Sequence, residues 1–216
     1  MWWKRSNRAI RCSKFLSSEK SIANRKESII MNIRIAWGIT GCGDHLKESL
    51  DLMKEVTREH NLDVRVFLSQ AGEMVIKWYK LYSDLKTSFP KTYSEKSPNV
   101  PFLVGDLQLG KYDFILIMPS TSNTVGKIAA GISDTLLSNA AAQAMKANVP
   151  VYIFPADQKK GDIVTNLPGG KKLTLTMRDV DIEAVDKLRK MRGITVLGHP
   201  DEIREIIKKH IEKMEI

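Results

Sequence analysis

Apolar positions in this chain come in short runs that alternate between strand-like and helix-like spacing. Asn32–Trp37 places apolar side chains at 33, 35, 36 and 37 and stops at Gly38, which predicts a strand. His45–His60 carries Leu46, Leu50, Met53 and Val56 at helical spacing, and Leu62–Leu68 alternates like a strand. Ala71–Ser83 is helical in pattern, and the polar, proline-bearing stretch around Phe89–Pro101 predicts a loop or excursion. Phe114–Met118 is continuously apolar, as a strand buried on both faces should be. Thr124–Ala147 has few breakers and predicts one long buried helix, and Val149–Phe154 a further buried strand. After a Gly/Pro/Lys loop at Pro155–Lys172, the pattern predicts a strand at Leu173–Met177, a helix at Ile182–Met191 and a strand at Ile194–Leu197. A terminal helix follows at Pro200–Met214, starting at His199 or Pro200, with Lys208, Lys209 and Lys213 suiting its negative end.

Strands alternating with helices predict an α/β fold, a parallel sheet covered by helices on both faces. Ligands in such folds bind outside the carboxyl ends of the strands. The loops after Trp37, Leu68, Met118 and Phe154 are therefore where function is expected.

Composition changes this picture little. The chain has 216 residues, 43% hydrophobic and 27% charged, enough for one buried core. No long linker or repeat divides it, so residues 31–216 are expected to form a single domain. The net charge of +9 suggests a nucleic-acid binder until it is mapped. Residues 1–30 hold eight Lys/Arg against two Glu and supply +6 of it, leaving no basic face on the body. That basic extension has no apolar run fit for a signal peptide or membrane span. It is expected to be a targeting peptide, a disordered tail or an upstream start taken in error, the last being favoured. Cys12 and Cys42 are too few for a disulfide framework or a four-thiolate cluster within one chain, and the composition reads as cytoplasmic. His45, His60, His199 and His210 lack metal-ligand spacing, so no metal site is expected.

The chemistry concentrates in two loops. Gly38-Ile39-Thr40-Gly41-Cys42-Gly43-Asp44 joins a buried strand to a helix, with glycines allowing close backbone approach and free amides at the helix start favouring a phosphate. Its G-x-x-G-x-G order is neither the dinucleotide fingerprint nor the P-loop. A plain turn with Asp44 as helix cap is the alternative. Pro119-Ser120-Thr121-Ser122-Asn123-Thr124 sets five consecutive hydrogen-bonding residues between an apolar strand and an apolar helix, more than a cap requires. Such a surface suits a polar heterocycle or sugar-phosphate. Ser69 adds a hydroxyl on the same edge. Lys127 is either a complement to ligand charge or a solvated cation. Gly131 is expected to permit close packing, and Asp134 to satisfy nearby backbone or an adjacent subunit. Trp78 and Tyr79 read as packing or oligomer contacts.

The segments beginning Gly38-Ile-Thr-Gly, Pro119-Ser-Thr-Ser-Asn-Thr and Val149-Pro-Val-Tyr-Ile-Phe-Pro-Ala resemble the flavoprotein superfamily of homo-oligomeric flavin-containing cysteine decarboxylases. Within it, Trp37–Asp44 and Leu167–Asp181 look like the archaeoflavoprotein AfpA group, a relative of dihydromethanopterin reductase (acceptor). The resemblance implies a three-layer α/β/α, Rossmann-like fold, FMN as cofactor, and a homo-oligomer whose neighbouring chain completes the flavin site. It implies that Gly38, Thr40 and Ser69 hold the ribityl-phosphate, that Gly41 and Cys42 of the same first loop are also cofactor-binding, and that Ser120, Thr121, Ser122, Asn123 and Thr124 line the phosphate and isoalloxazine. The superfamily's decarboxylases carry a Pro-x-Met-Asn segment where this chain reads Pro155-Ala156-Asp157-Gln158. They also carry a catalytic His, and none lies here between His60 and His199. Decarboxylation and prenyl transfer are thereby disfavoured. The AfpA resemblance implies ferredoxin as electron donor and a redox protein or pterin as acceptor. Lys159, Lys160, Lys171 and Lys172 are candidate docking charges, or simply solvated ones.

Overall fold

The protein is described by a computed structural model covering residues 32–214. Residues 1–30, read above as a basic extension, lie outside the described residues. Strand β1 (Arg34–Ile39) is followed by α1 (Leu46–His60), β2 (Asp63–Leu68), α2 (Gln70–Trp78), α3 (Tyr82–Ser88) and a short β3 (Thr92–Ser94). Then come α4 (Leu103–Gln108), β4 (Phe114–Ser120), α5 (Ser122–Ala130), α6 (Leu136–Lys146) and β5 (Val151–Pro155). The hairpin β6 (Asp162–Asn166)–β7 (Lys172–Thr176), α7 (Asp179–Arg189), β8 (Ile194–Val196), a 3-10 turn (Pro200–Glu202) and α8 (Ile203–Met214) complete the order.

Six strands form one parallel sheet in the order β3-β2-β1-β4-β5-β8. The chain builds outward from β1 on one side, then returns to β4 on the other. That reversal places the topological switch point between β1 and β4.

Period-2 alternation within buried strands feeds two cores. Ile35, Trp37 and Ile39 of β1 join Leu50, Met53, Ile76, Phe114 and Ile207 on one face. Ala36 joins Ile115, Ile117, Val125, Leu137, Ala141 and Leu188 on the other. α1 buries Leu46, Leu50, Met53 and Val56, the stripe its spacing predicts. Truncating Met53, which has no exposure, to Ala should cost about 2–5 kcal/mol.

Six expectations need correction. β1 does not stop at Gly38 but runs through Ile39. Gly38 is buried in the strand, and a Cβ there would lie 2.7 Å from Leu137 Cδ2, so its smallness lets α6 approach the sheet. The helix expected at Ala71–Ser83 is two helices, because Lys80 takes the left-handed conformation at φ 59° between them. The stretch around Phe89–Pro101 is not wholly loop: Thr92–Ser94 pairs in parallel with Val66–Leu68 as the sheet's edge. The long helix expected at Thr124–Ala147 is also two. Gly131 ends α5 at φ 75°, with its amide donating to Ile128 O and the Ile132 amide to Lys127 O, a Schellman stop. Thr135 and Ser138 then open α6 with a capping box. Gly131 is thus an exposed terminator rather than a packing residue, with open space where a Cβ would go. Finally, the Pro155–Lys172 loop contains β6, which pairs antiparallel with β7 outside the main sheet.

Candidate functional site

The two polar loops meet at the β1/β4 switch point, and Thr40 joins them. Thr40 is buried; its amide (3.3 Å) and its hydroxyl (3.0 Å) both donate to Pro119 O, and its hydroxyl accepts from the Thr121 amide at 2.9 Å. Beneath it, Trp37 Nε1 donates to Met118 O at 2.7 Å. Small residues bring the neighbouring walls in. A Cβ on Gly41 would sit 2.6 Å from Ala71 Cβ, and one on Gly72 would strike Ile39 O, the acceptor of the Ser69 amide. Ser69 is the N-cap of α2, its hydroxyl accepting from the Gly72 amide at 2.9 Å.

Donors remain around this crevice. Among the described residues, the amides of Gly41, Gly43, Ser122 and Asn123 have no acceptor within hydrogen-bond reach. Those of Ser122 and Asn123 open α5, where the helix dipole favours negative charge. Thr121 caps that helix, accepting from the Thr124 amide at 3.4 Å and donating its hydroxyl to Thr124 Oγ1 at 3.3 Å. Ser120 Oγ, fully buried at the end of β4, has no hydrogen-bond partner, as is also true of Ser49 Oγ, Thr57 Oγ1, Arg65 Nε and Tyr112 OH elsewhere among the described residues; Ser120 is the one of these that lies on a polar loop of the site.

The third loop closes on the second. Asp157 accepts from Ser122 Oγ, and the Ala156 amide donates to Ser120 O at 3.0 Å. Gln158 is structural; its amide group donates to Pro155 O at 2.8 Å and Leu197 O at 2.7 Å. Cys42 is part-buried and donates weakly to Asp44 O. Burial first, then Asp44 and Asp157, push its thiol up to about 12, so it stays protonated and adds no negative charge beside a phosphate.

The structure brings together Thr40, Gly41, Cys42, Ser120, Thr121 and Ser122, with Ser69 one strand away. It leaves Asn123 exposed at the rim, turns Thr124 inward and keeps Gly38 in the sheet. Asp44 is not the cap expected of it: the N-cap of α1 is His45, which makes no side-chain capping bond. Lys127 and Asp134 form an ion pair at 2.9 Å with each other. Three neighbours had no sequence signal. Asp157 stands alone after a strand. Tyr79 lays its hydroxyl against Gly43 and donates to Asn166 O at 3.1 Å. Glu95 accepts from the Gln70 amide at 3.2 Å and the Leu136 amide at 2.7 Å, so one carboxylate pins the starts of α2 and α6.

Comparison with known proteins bears on this geometry. The family model named Flavoprotein matches residues 23–215. An uncharacterized protein of Methanocaldococcus jannaschii, MJ0730, is 57% identical over 83% of this chain and 97% of its own length. The dihydromethanopterin reductase (acceptor) of the same organism is 31% identical over 81% of this chain and 96% of its own. Among solved structures, Burkholderia xenovorans DmrB in complex with FMN, described as a cubic protein cage for redox transfer, superposes with a TM-score of 0.72. It is 32% identical, covering 86% of this chain and 99% of that one.

Proposed function

The chain belongs to the Flavoprotein family, and on that premise we propose that it binds FMN at the β1/β4 switch point and works as a redox-transfer protein. The observation that carries this is the set of four amides without an acceptor on the two loops that Thr40 joins at the β1/β4 switch point, where an α/β sheet binds its ligand, with the unpartnered Ser120 Oγ at the end of β4. Gly41 and Gly43 would offer amides, and Ser69 its hydroxyl proton, to the phosphate end. Ser120 and the amides of Ser122 and Asn123 would hold the polar edge of the ring. Asp157 keeps the Ser122 hydroxyl turned toward the β5 loop. Bound there, FMN supplies reversible one- and two-electron transfer. DmrB, of known FMN content and a third identical, supports the assignment.

The donor we propose is ferredoxin. Lys159 precedes the β6–β7 hairpin, Lys171 lies in its turn and Lys172 opens β7, all three exposed, while Lys160 pairs with Asp179 at 3.2 Å. Exposed lysines at both ends of the hairpin favour an acidic partner. Pterin reduction is the second reading, favoured by the relative named dihydromethanopterin reductase (acceptor). We also propose a homo-oligomer, on the strength of Trp78, Phe102 and Leu109, each more than half exposed. Among the described residues no helix is long and apolar enough to cross a membrane.

Absorbance of the purified protein tests the central claim: flavin bands should appear, or be restored by added FMN. Ser120→Ala makes the test specific. Removing an unsatisfied hydroxyl should stabilise the FMN-free protein by about 1 kcal/mol, while loss of one ligand hydrogen bond should weaken FMN about 5–10-fold. A protein that never binds FMN, or an Ala variant with unchanged affinity, refutes the site. Rapid reduction by reduced ferredoxin that slows with salt, with no reduction by NADH, supports the donor. Reoxidation by a dihydropterin substrate moves the assignment to the second reading.

A further inference from the structure

We propose that the carboxylate of Asp157 tunes the redox potential of the bound flavin, opposing the build-up of negative charge on the reduced ring. The proposal rests on the reading that FMN occupies the β1/β4 switch point. The residue is fixed on both sides. Before it, β5 pairs with the end of β4 at Pro155 and Ser120, and the Ala156 amide donates to Ser120 O at 3.0 Å. After it, Gln158 donates to Pro155 O at 2.8 Å and Leu197 O at 2.7 Å, and accepts from Arg189 at 3.1 Å. Asp157 itself is part-buried and accepts from Ser122 Oγ at the start of α5. It therefore stands beside the amides of Ser122 and Asn123, the groups assigned above to the polar edge of the ring.

Nothing neutralises this charge where it stands. Among the described residues, neither Asp157 nor Asp44, the carboxylate of the first loop, has an ion-pair partner. Arg178, at the head of α7, lies within the field of Asp157, but its guanidinium is bound to Asp181 at 2.7 and 2.9 Å. Lys127, on α5, is paired with Asp134. The field crosses to the first loop: after burial, Asp44 and Asp157 are what push the Cys42 thiol up to about 12. Tyr79, against Gly43, faces Asp44 and Cys42. Reduction of FMN by two electrons takes up either two protons, which leaves the charge of the ring unchanged, or one, which leaves it one unit more negative. A carboxylate beside the ring opposes the second outcome. It lowers the potential wherever the reduced ring would otherwise release that proton, and so calls for a strongly reducing electron donor.

The test is the midpoint potential of the FMN-bound full chain, measured across neutral and alkaline pH by dithionite reduction against reference dyes. Asp157→Asn keeps an acceptor for Ser122 Oγ and removes only the charge. At alkaline pH its two-electron equilibrium should favour reduction about tenfold or more over the wild type, a rise of about 30 mV. The pH at which the potential changes slope, from two protons taken up to one, should fall. Asp51→Asn, on the exposed face of α1, removes the same charge and should leave both unchanged. In FMN-free protein, alkylation of Cys42 by iodoacetamide should be about twofold or more faster in Asp157→Asn, which reads the same charge without the flavin. FMN bound with an unchanged potential in Asp157→Asn overturns this proposal and leaves the FMN reading standing. A shift matched by Asp51→Asn, or one without the change at Cys42, overturns it as well, since the charge would then not act locally. A chain that takes up no FMN overturns the FMN reading and this proposal with it.

Discussion

Thr40→Val probes how the two flavin-site loops are joined, because it removes one hydroxyl and keeps the shape. The lost group donates to Pro119 O at 3.0 Å and accepts from the Thr121 amide at 2.9 Å. Pro119 O retains the Thr40 amide at 3.3 Å, so its loss is about 1 kcal/mol. The Thr121 amide is left without an acceptor in a partly buried position, which adds about 1–2 kcal/mol. The sum, about 2–3 kcal/mol, is a large share of a typical stability of about 5–15 kcal/mol. In urea, at about 2 kcal/mol per molar, the midpoint should fall by about 1 M. Thr40→Ser is the control: both bonds survive, and only a buried methyl is lost, about 1 kcal/mol. Unfolding should be measured with and without FMN, since saturating ligand adds stability in proportion to the logarithm of its excess over Kd. The FMN increment should shrink in the Val variant and persist in the Ser variant. If Val is no more costly than Ser, Thr40 is not the tie and the two loops are held by packing alone.

Gly72→Ala should destabilise by about 3 kcal/mol or more and lower FMN content, because the new methyl meets the Ile39 carbonyl, which belongs to the backbone and cannot rotate away; chemical unfolding and flavin titration read it. His210 is half-buried against Tyr152 and Phe114, and burial first, then Lys213, hold its pKa below the ordinary 6.5, while Asp113 acts in the opposite sense. The unfolded chain therefore takes up this proton first, so stability should fall as pH drops through about 6.5; melting temperatures of His210→Gln should depend less steeply on pH there, and an identical slope refutes the assignment. With its thiol near 12, Cys42 at pH 8 should alkylate about a thousandfold more slowly than an ordinary cysteine, read by mass spectrometry of the peptide that carries it; rapid labelling in the folded protein would show that the thiol is not buried as described.

What sequence made legible here follows the range of each interaction. Strands β1, β2, β4 and β5 announced themselves because continuous or alternating apolar runs report burial directly, and the switch-point rule then located the two loops. The broken helices show where pattern alone misleads. Apolar runs stand on both sides of Gly131–Thr135 because α5 and α6 both pack on the same face of the sheet, so the two runs read as one helix interrupted by a few small and polar residues. The stop was written instead in local chemistry, a glycine fit for φ 75° followed by a Thr/Ser capping pair, and caps outrank periodicity when the two conflict. Lys80 had no such signal, since lysine takes φ 59° only because its neighbours demand it. The site divides in the same way. Thr40 and Ser120–Thr124 could be named because they cluster in sequence, whereas Glu95, Asp157 and Tyr79 act singly across 41, 35 and 87 positions respectively. A single carboxylate or hydroxyl has no pattern of its own, and what it touches is decided by which turn the sheet order lays beside it.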